Sequence, residues 1–517
     1  MARLRTSKLG LAVFQAIVLA LLALGLLRLS PSGARASSAA EVRFSNLNFS
    51  SGFTSLPSFG GHGIQVADVN GDDWLDVYVT NIFDPAQDRP DLLFINQKSD
   101  PPRFEEMARQ AGVSDEGFYN GVSEESHAAV FADLDNDGDF DLFNAHTWSG
   151  HNRLYRNDGQ GRFTDITASA GIEVTDLGSR GVAAGDMTGD GLLDIVVSAW
   201  QDAQPIIYWN QGNLFFDRQR LKGVDNRPFA NQGITVADYD GDFIPDLALT
   251  AYEFLQEEGV GPIALLSNEG FRFQDATEYA GLRYDRLTNN IRGTNGWSFA
   301  DVDNDGHLDL LIAGTHGSKL YRNSGDGRFR FLQRFEGNHY TAAFGDVDND
   351  GDVDLYIAGQ TVIYLNDGKG SFSATGEVGL SEIGEDARSA VFADMNNDGA
   401  LDLLIASKMG VNTFFLNQTR SGQWLKVSLV GPNGSAGAFG AKVFVYAAGQ
   451  LGQAAHLKGF REARSATGYC SQDPPVLHFG LDGPGPYDVL VRFPDGSSLT
   501  RTGVSPGQLL RVDASRP

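Results

Sequence analysis

Cysteine occurs once in 517 residues, so no disulfide can form within the chain and Cys470 reads as a small, semi-buried residue. Positive charge is scarce as well. Forty Lys and Arg stand against 66 Asp and Glu, a formal charge of −26, which disfavours nucleic-acid backbones as partners. Long apolar runs are nearly missing too, the clear case being Leu9–Leu27, interrupted by Gln15. With Arg3, Arg5 and Lys8 before it and small residues through Ala40 after it, this stretch reads as an export segment over 1–40. Its 19 residues also suit an uncleaved anchor, the one membrane contact the sequence offers. Either way the body of the chain is expected outside the cytoplasm, secreted, periplasmic or at the cell surface.

What is abundant is one pattern, repeated seven times. Oxygen-bearing side chains stand at the first, third, fifth and ninth positions of loops that begin at Asp68, Asp133, Asp186, Asp238, Asp301, Asp346 and Asp394. The sets are Asp68, Asn70, Asp72, Asp76; Asp133, Asp135, Asp137, Asp141; Asp186, Thr188, Asp190, Asp194; and Asp238, Asp240, Asp242, Asp246. They continue with Asp301, Asp303, Asp305, Asp309; Asp346, Asp348, Asp350, Asp354; and Asp394, Asn396, Asp398, Asp402. The loops hold 28 of the 66 acidic residues, so much of the negative charge is ligand chemistry.

Four oxygens crowded into one tight turn repel one another unless they take up protons or enclose a cation. A hard divalent ion with oxygen ligands removes the conflict, and calcium tolerates irregular shells better than magnesium. Up to seven calcium ions are therefore expected, held most tightly by the second, fifth and sixth loops. Glycine occupies the sixth position in five loops, where a left-handed turn would strain other residues, but Asp73 and Phe243 stand there in the first and fourth. The loops open like an EF-hand, yet position twelve carries no Glu. Apolar, β-branched and aromatic residues flank them, so each loop reads as the turn between two strands.

Loop starts lie 65, 53, 52, 63, 45 and 48 residues apart, the size of a four-stranded blade. A second signature, Leu154-Tyr155-Arg156-Asn157 through Phe163, follows each loop in stronger or weaker form and reads as the hairpin between the third and fourth strands. The expected fold is all-β: a seven-bladed β-propeller over 41–419, then a small β-sandwich-like domain over 420–517 built on alternating stretches such as Trp424–Val430 and Tyr487–Phe493. The seventh blade lacks a fourth strand after Asn417, and Val42-Arg43-Phe44 is available to supply it.

Six residues before each loop stand His62, His127, Arg180, Gln232, Asn295, Tyr340 and Arg388, polar at all seven places and followed by apolar ones. They are expected to ring the channel on the face opposite the calcium loops. Nearby loops add His146, Trp148, His151, Trp200, Tyr252, His316, His339 and Lys408. Such a rim can hold an anionic or sugar-like ligand by stacking and hydrogen bonds, or merely border a water-filled tunnel.

The motif Phe-Ala-Asp-x-Asp-x-Asp-Gly-x-x-Asp-Leu at 131–142 and 299–310, with Phe439–Val443, Ala466–Gln472, Leu477–Leu481 and Phe493–Gly496, resembles the FG-GAP-like, VCBS-type calcium propellers that end in an ASPIC and UnbV domain. Phe493 stands where that family has Trp, and Cys470 falls at a variable point. The resemblance implies secretion, calcium binding and an extracellular interaction role. The leading expectation is thus a binding or adhesion module for an extracellular or cell-surface protein or glycan. The alternative is a hydrolase or lyase, in which His127 or His146 works with Glu124 or Glu125 on the non-calcium face.

Overall fold

Each acidic loop is the turn of an antiparallel hairpin whose register places the residue before the loop opposite the ninth. Ala67 pairs with Asp76, Ala132 with Asp141, Gly185 with Asp194 and Ala393 with Asp402. The computed structural model describes residues 42–516 apart from 54–60, 82–89, 116–117, 120–121, 124, 148–150, 173–177, 200–203, 223–230, 252–262, 271, 283–293 and 421, with the backbone alone at 118–119, 122–123, 125, 231–232, 251, 385 and 409. The export segment, Trp148, Trp200, Tyr252, Glu124 and the side chains of Gln232 and Glu125 thus lie outside the described residues.

The chain is almost wholly β. Two one-turn helices, Asn48–Ser51 and Ala108–Ala111, are the α-helices among the described residues, and no helix there is long and apolar enough to cross a membrane. Seven sheets follow one another in a propeller-like arrangement. Their innermost strands are Gly61–Ala67, Glu125–Ala132, Ser179–Gly185, Asn231–Ala237, Thr294–Ala300, Ala342–Gly345 and Glu385–Ala393, each in contact with the next and the last in contact with the first. The outermost strand of the seventh sheet comes from the other end of the chain: Phe44, Ser45 and Asn46 pair with Asn417, Leu416 and Phe415. Phe44 carries the reason in its side chain, which is buried with Val378, Leu380 and Phe415.

After Asn417 the chain builds two further sheets. One has the order Leu477–Leu481, Gln423–Val430, Gln508–Asp513; the other Leu457–Glu462, Lys442–Ala447, Tyr487–Arg492, Ser498–Val504. Their facing apolar residues, Leu425, Val427, Val443, Val445, Phe479 and Val489, share one continuous core with Ala128, Phe131 and Val182 of the second and third sheets. Residues Val42–Pro517 accordingly make one compact unit.

The C-terminal sheets lie over the acidic loops, and the segment between Glu462 and Pro474 leaves them to enter the middle of the ring of sheets. Ser471 and Gln472 pair in parallel with Ile64 and Gln65, adding a fifth strand to the first sheet. Gln472 spans the Phe131 backbone at 2.7 and 2.8 Å, and Ser465 Oγ accepts from Ala184 N at 2.8 Å. Gly468 N donates to Trp297 O at 2.7 Å, Tyr469 N to Thr341 Oγ1 at 3.0 Å, and Ser389 bonds Ser471. Ala466 packs with Ile234 and Val236 of the fourth sheet. The sequence reading leaves the rim of this channel as either a ligand site or the border of a water-filled tunnel. The inserted loop occupies it instead, because its polar groups bond inner-strand groups of six sheets and Ala466 packs on the fourth.

The space for that loop is encoded. One residue after each ring position stand Gly63, Ala128, Gly181, Gly233, Gly296, Thr341 and Ser389, all small. A Cβ at Gly296 would sit 2.6 Å from Gly468 C and 2.7 Å from Tyr469 N.

Candidate functional site

The seven loops are wired alike from the backbone upward. In each, the first Asp accepts from the N–H groups of the fifth and sixth residues, as Asp133 does from Asp137 at 3.1 Å and Gly138 at 3.0 Å. The fifth Asp accepts from the seventh N–H, as Asp137 does from Asp139 at 3.1 Å. The ninth accepts from the second N–H and from the N–H of the hairpin Asn, as Asp141 does from Leu134 at 3.3 Å and Asn157 at 3.0 Å. The sixth residue is left-handed everywhere, φ +98° at Gly138 and +70° even at Phe243. The fourth is left-handed too, which explains why only Asn or Gly stands there, a regularity the sequence reading missed.

The third position is only loosely tied into this wiring, as where Asn396 Oδ1 accepts from Asp398 N at 3.4 Å. Asn70 Oδ1, Asp135 Oδ1, Thr188 Oγ1 and Asp303 Oδ1 are buried with no hydrogen-bond partner. Buried acceptors without donors are expensive, and a cation is the partner that suits a ring of oxygens. In four loops three carboxylates bring ligand oxygens within 4.8 Å of one another: Asp133, Asp135, Asp137; Asp238, Asp240, Asp246; Asp301, Asp303, Asp309; and Asp346, Asp348, Asp354. The second, fifth and sixth loops are among them, and so is the fourth despite Phe243. Burial pushes the carboxyls of Asp76, Asp141 and Asp309 up to about 8, with like charges adding to the rise. These residues thus have metal-binding character of the calcium type: hard oxygens, crowded and desolvated.

Neighbouring cations cover part of the charge. Arg156 of the hairpin signature reaches Asp135 and Asp137, both at 3.1 Å, and Arg322 does the same for Asp303 and Asp305. From the C-terminal sheets, Lys426 bonds Asp394 at 2.7 Å, Lys442 bonds Asp238, and Ala436 N donates to Asp133 at 2.8 Å. The acidic face is therefore an internal joint.

On the opposite side the structure brings together part of the expected ring. His62 and His127 are buried, with ring centroids 3.8 Å apart, and both Nε2 atoms face Tyr469 Oη at 3.4 and 3.3 Å. Arg388 stacks on Tyr340 at 3.6 Å and bonds Asp386 at 2.6 Å, while the Tyr340 ring lies 5.6 Å from that of Tyr469. Asn295 instead donates to His339 O at 2.9 Å. His146 stands apart from the ring. Its Nε2 meets Asp115 at 2.6 Å and Ser126 at 3.2 Å inside the second sheet, and Asp115 also holds Arg153 at 3.0 Å. Sequence reasoning overlooked Asp115, Tyr469 and the hairpin Asn residues as site-building groups. Motif matching did pick out Ala466–Gln472, and its broken apolar alternation was the available signal.

Residues 133–197, 301–357 and 346–405 match the FG-GAP-like repeat, and 431–516 match ASPIC and UnbV. The chain thus carries FG-GAP-like repeats followed by a region that matches ASPIC and UnbV. It is similar to cartilage acidic protein 1, with 26% identity over 306 residues to the Mus musculus protein and 27% over 304 to that of Homo sapiens. Each alignment covers 54% of this chain but 42% and 41% of those proteins, so the chain spans about two fifths of their length. Among solved structures, an Agrocybe aegerita lectin studied for recognition of non-reducing terminal N-acetylglucosamine aligns with TM-score 0.42 and 19% identity, over 62% of this chain and 81% of that one. PorZ of Porphyromonas gingivalis, a surface component of the type-IX secretion system, aligns with TM-score 0.42 and 12% identity, over 86% and 59%.

Proposed function

We propose that this protein is an exported, calcium-stapled, closed seven-bladed propeller that serves as a binding module for an extracellular or periplasmic protein or glycan. The observation that carries the calcium part is the set of buried third-position oxygens without a hydrogen-bond partner in four loops, on Asn70, Asp135, Thr188 and Asp303. Each loop would hold its ion through the first, third, fifth and ninth side chains: Asp68, Asn70, Asp72 and Asp76 in the first, and their equivalents through Asp394, Asn396, Asp398 and Asp402 in the seventh. The ion supplies positive charge that lets buried carboxylates ionise without repelling one another.

With the C-terminal sheets over the loops, the surface left for a partner is the other face. Arg180, Arg388 and Lys408 all act electrostatically on His62 there, and Tyr340 offers a ring. That chemistry suits an anionic or sugar-like group, and a preformed surface loses little entropy on binding. A binder is favoured over a hydrolase or lyase because His127 and His146, the expected acid–base candidates, are buried and already engaged by Tyr469 and Asp115. Calcium titration of chelated protein by calorimetry tests the first part: uptake of several ions with a rise in Tm is expected, and no uptake with an unchanged Tm refutes it. Screening calcium-loaded protein against sulfated and neutral glycans tests the second, with Arg388→Ala expected to weaken any capture.

A further inference from the structure

Where the inserted loop reaches the far side of the ring it places Tyr469 and Cys470 against His62 and His127, a group that the calcium reading leaves unused. His62 Nδ1 lies 3.1 Å from His127 O, and His127 Nδ1 lies 3.1 Å from Arg180 O. A carbonyl can only accept, so each Nδ1 must carry the proton and each Nε2 must present a lone pair. Burial, helped by Arg388 for His62 and by His62 for His127, keeps both rings neutral, so neither Nε2 gains a proton of its own. Both Nε2 atoms face the same Tyr469 hydroxyl, which has one hydrogen to give. One buried imidazole lone pair is thereby left over.

Histidines whose second nitrogen is tied to a backbone carbonyl are oriented as metal ligands are. The third donor is Cys470 Sγ, which lies 3.4 Å from His127 Nδ1, and the three side chains can each offer a ligand atom within 4.8 Å of the others. Bond lengths of about 2.0–2.3 Å to nitrogen and sulfur put tetrahedral ligands roughly 3.3–3.7 Å apart, so the three draw together on an ion from a spread of at most 4.8 Å. Two imidazoles and a thiol select a borderline or soft ion over calcium, whose ligands are oxygens. Burial pushes the thiol well above its usual range and Arg180 and Arg388 offset only part of that, so the ion itself must displace the proton.

We propose that His62, His127 and Cys470 bind one d-block cation of the zinc or copper(I) class, which staples the inserted loop of the C-terminal module to the first two sheets. As the metal–sulfur bond forms, the thiol proton leaves to solvent. Tyr469 lies beside the three, and its hydroxyl yields the two Nε2 atoms to the ion.

Cobalt(II) is the probe, because a thiolate–cobalt bond gives a near-ultraviolet charge-transfer band that oxygen-ligated calcium sites cannot give. Full-length protein is expressed with cobalt in place of zinc, purified in calcium, and its metal content and absorption are measured. About one cobalt per chain with that band is expected. Cys470→Ser, a near-isosteric change, should abolish the band, and His127→Gln should lose the metal. Absence of bound cobalt, or a cobalt content and spectrum unchanged by both substitutions, overturns the proposal. Should His127→Gln fail to fold, the Cys470→Ser spectrum decides alone. Calcium content is read on the same samples, so failure of the acidic loops to hold calcium would be seen separately.

Discussion

Asn96 in the first sheet donates its side-chain amide to Met395 O in the seventh, 2.8 Å away. The same bond recurs around the ring: Asn157 to Val69 O, Asn210 to Leu134 O, Asn268 to Met187 O, Asn323 to Tyr239 O, Asn366 to Val302 O and Asn417 to Val347 O, at 2.8 or 2.9 Å. Each Asn also donates to the carbonyl before its own ninth Asp, and its backbone N–H satisfies that Asp. One residue per sheet thus ties an acidic loop to its neighbour, and the sequence of ties returns to its start.

Asn157→Ala should leave the carbonyls of Val69 and Phe140 buried without donors. A loss of about 2–4 kcal/mol is expected, read as a lower urea midpoint in saturating calcium. A change below about 0.5 kcal/mol would show that the ties carry little of the ring's stability.

Gly296→Ala tests the filled channel. The added Cβ meets the backbone of Gly468 and Tyr469 rather than a movable side-chain end. Overpacking of about 1–3 kcal/mol is expected, with faster proteolysis within 463–473. Cleavage there at the parental rate and an unchanged Tm would speak against a seated loop.

Gly138→Ala isolates backbone conformation in a calcium loop. Its φ is +98° and a Cβ would meet nothing within 4 Å, so strain alone acts. The cost is about 1–2 kcal/mol, and calorimetry should show weaker calcium uptake at one site with the remaining sites unaltered.

The His146–Asp115 pair should shape stability against pH. Burial opposes the imidazolium, but the Asp115 charge and hydrogen bond outweigh it and raise His146, while His146 and Arg153 hold Asp115 below its usual value against the same burial. A raised His contributes below about pH 6.5 and loses that contribution as pH rises through its folded value. A lowered Asp contributes above about pH 3.9 and loses it on acidification. The pair's contribution is therefore full between those limits. His146→Gln should remove the alkaline decline and cost about 3–5 kcal/mol at pH 6, measured by melts across pH in calcium.

Much of this was readable from periodic residues. The spacing of seven Asp-rich loops, the β-branched runs around them and the unpaired Val42–Phe44 segment gave seven sheets and the strand exchange at Phe44, since each of these signals is local or repeats. The position of His62, His127, Tyr340 and Arg388 six residues before a loop was legible for the same reason. What they touch was not. Tyr469 lies more than 400 residues from His62 along the chain, and no local pattern announces which channel a loop will enter.

The sequence by itself determined the repeating hairpins, the Asp-rich loops and the left-handed turn at each sixth position, because backbone geometry and side-chain type act over a few residues. Tertiary structure alone decided that the C-terminal module covers the acidic face, that its Ser465–Gln472 segment fills the channel, and that two histidines and the lone cysteine meet at its end. Those outcomes depend on burial and hydrogen-bond satisfaction between distant segments, which are settled only when the whole ring is assembled.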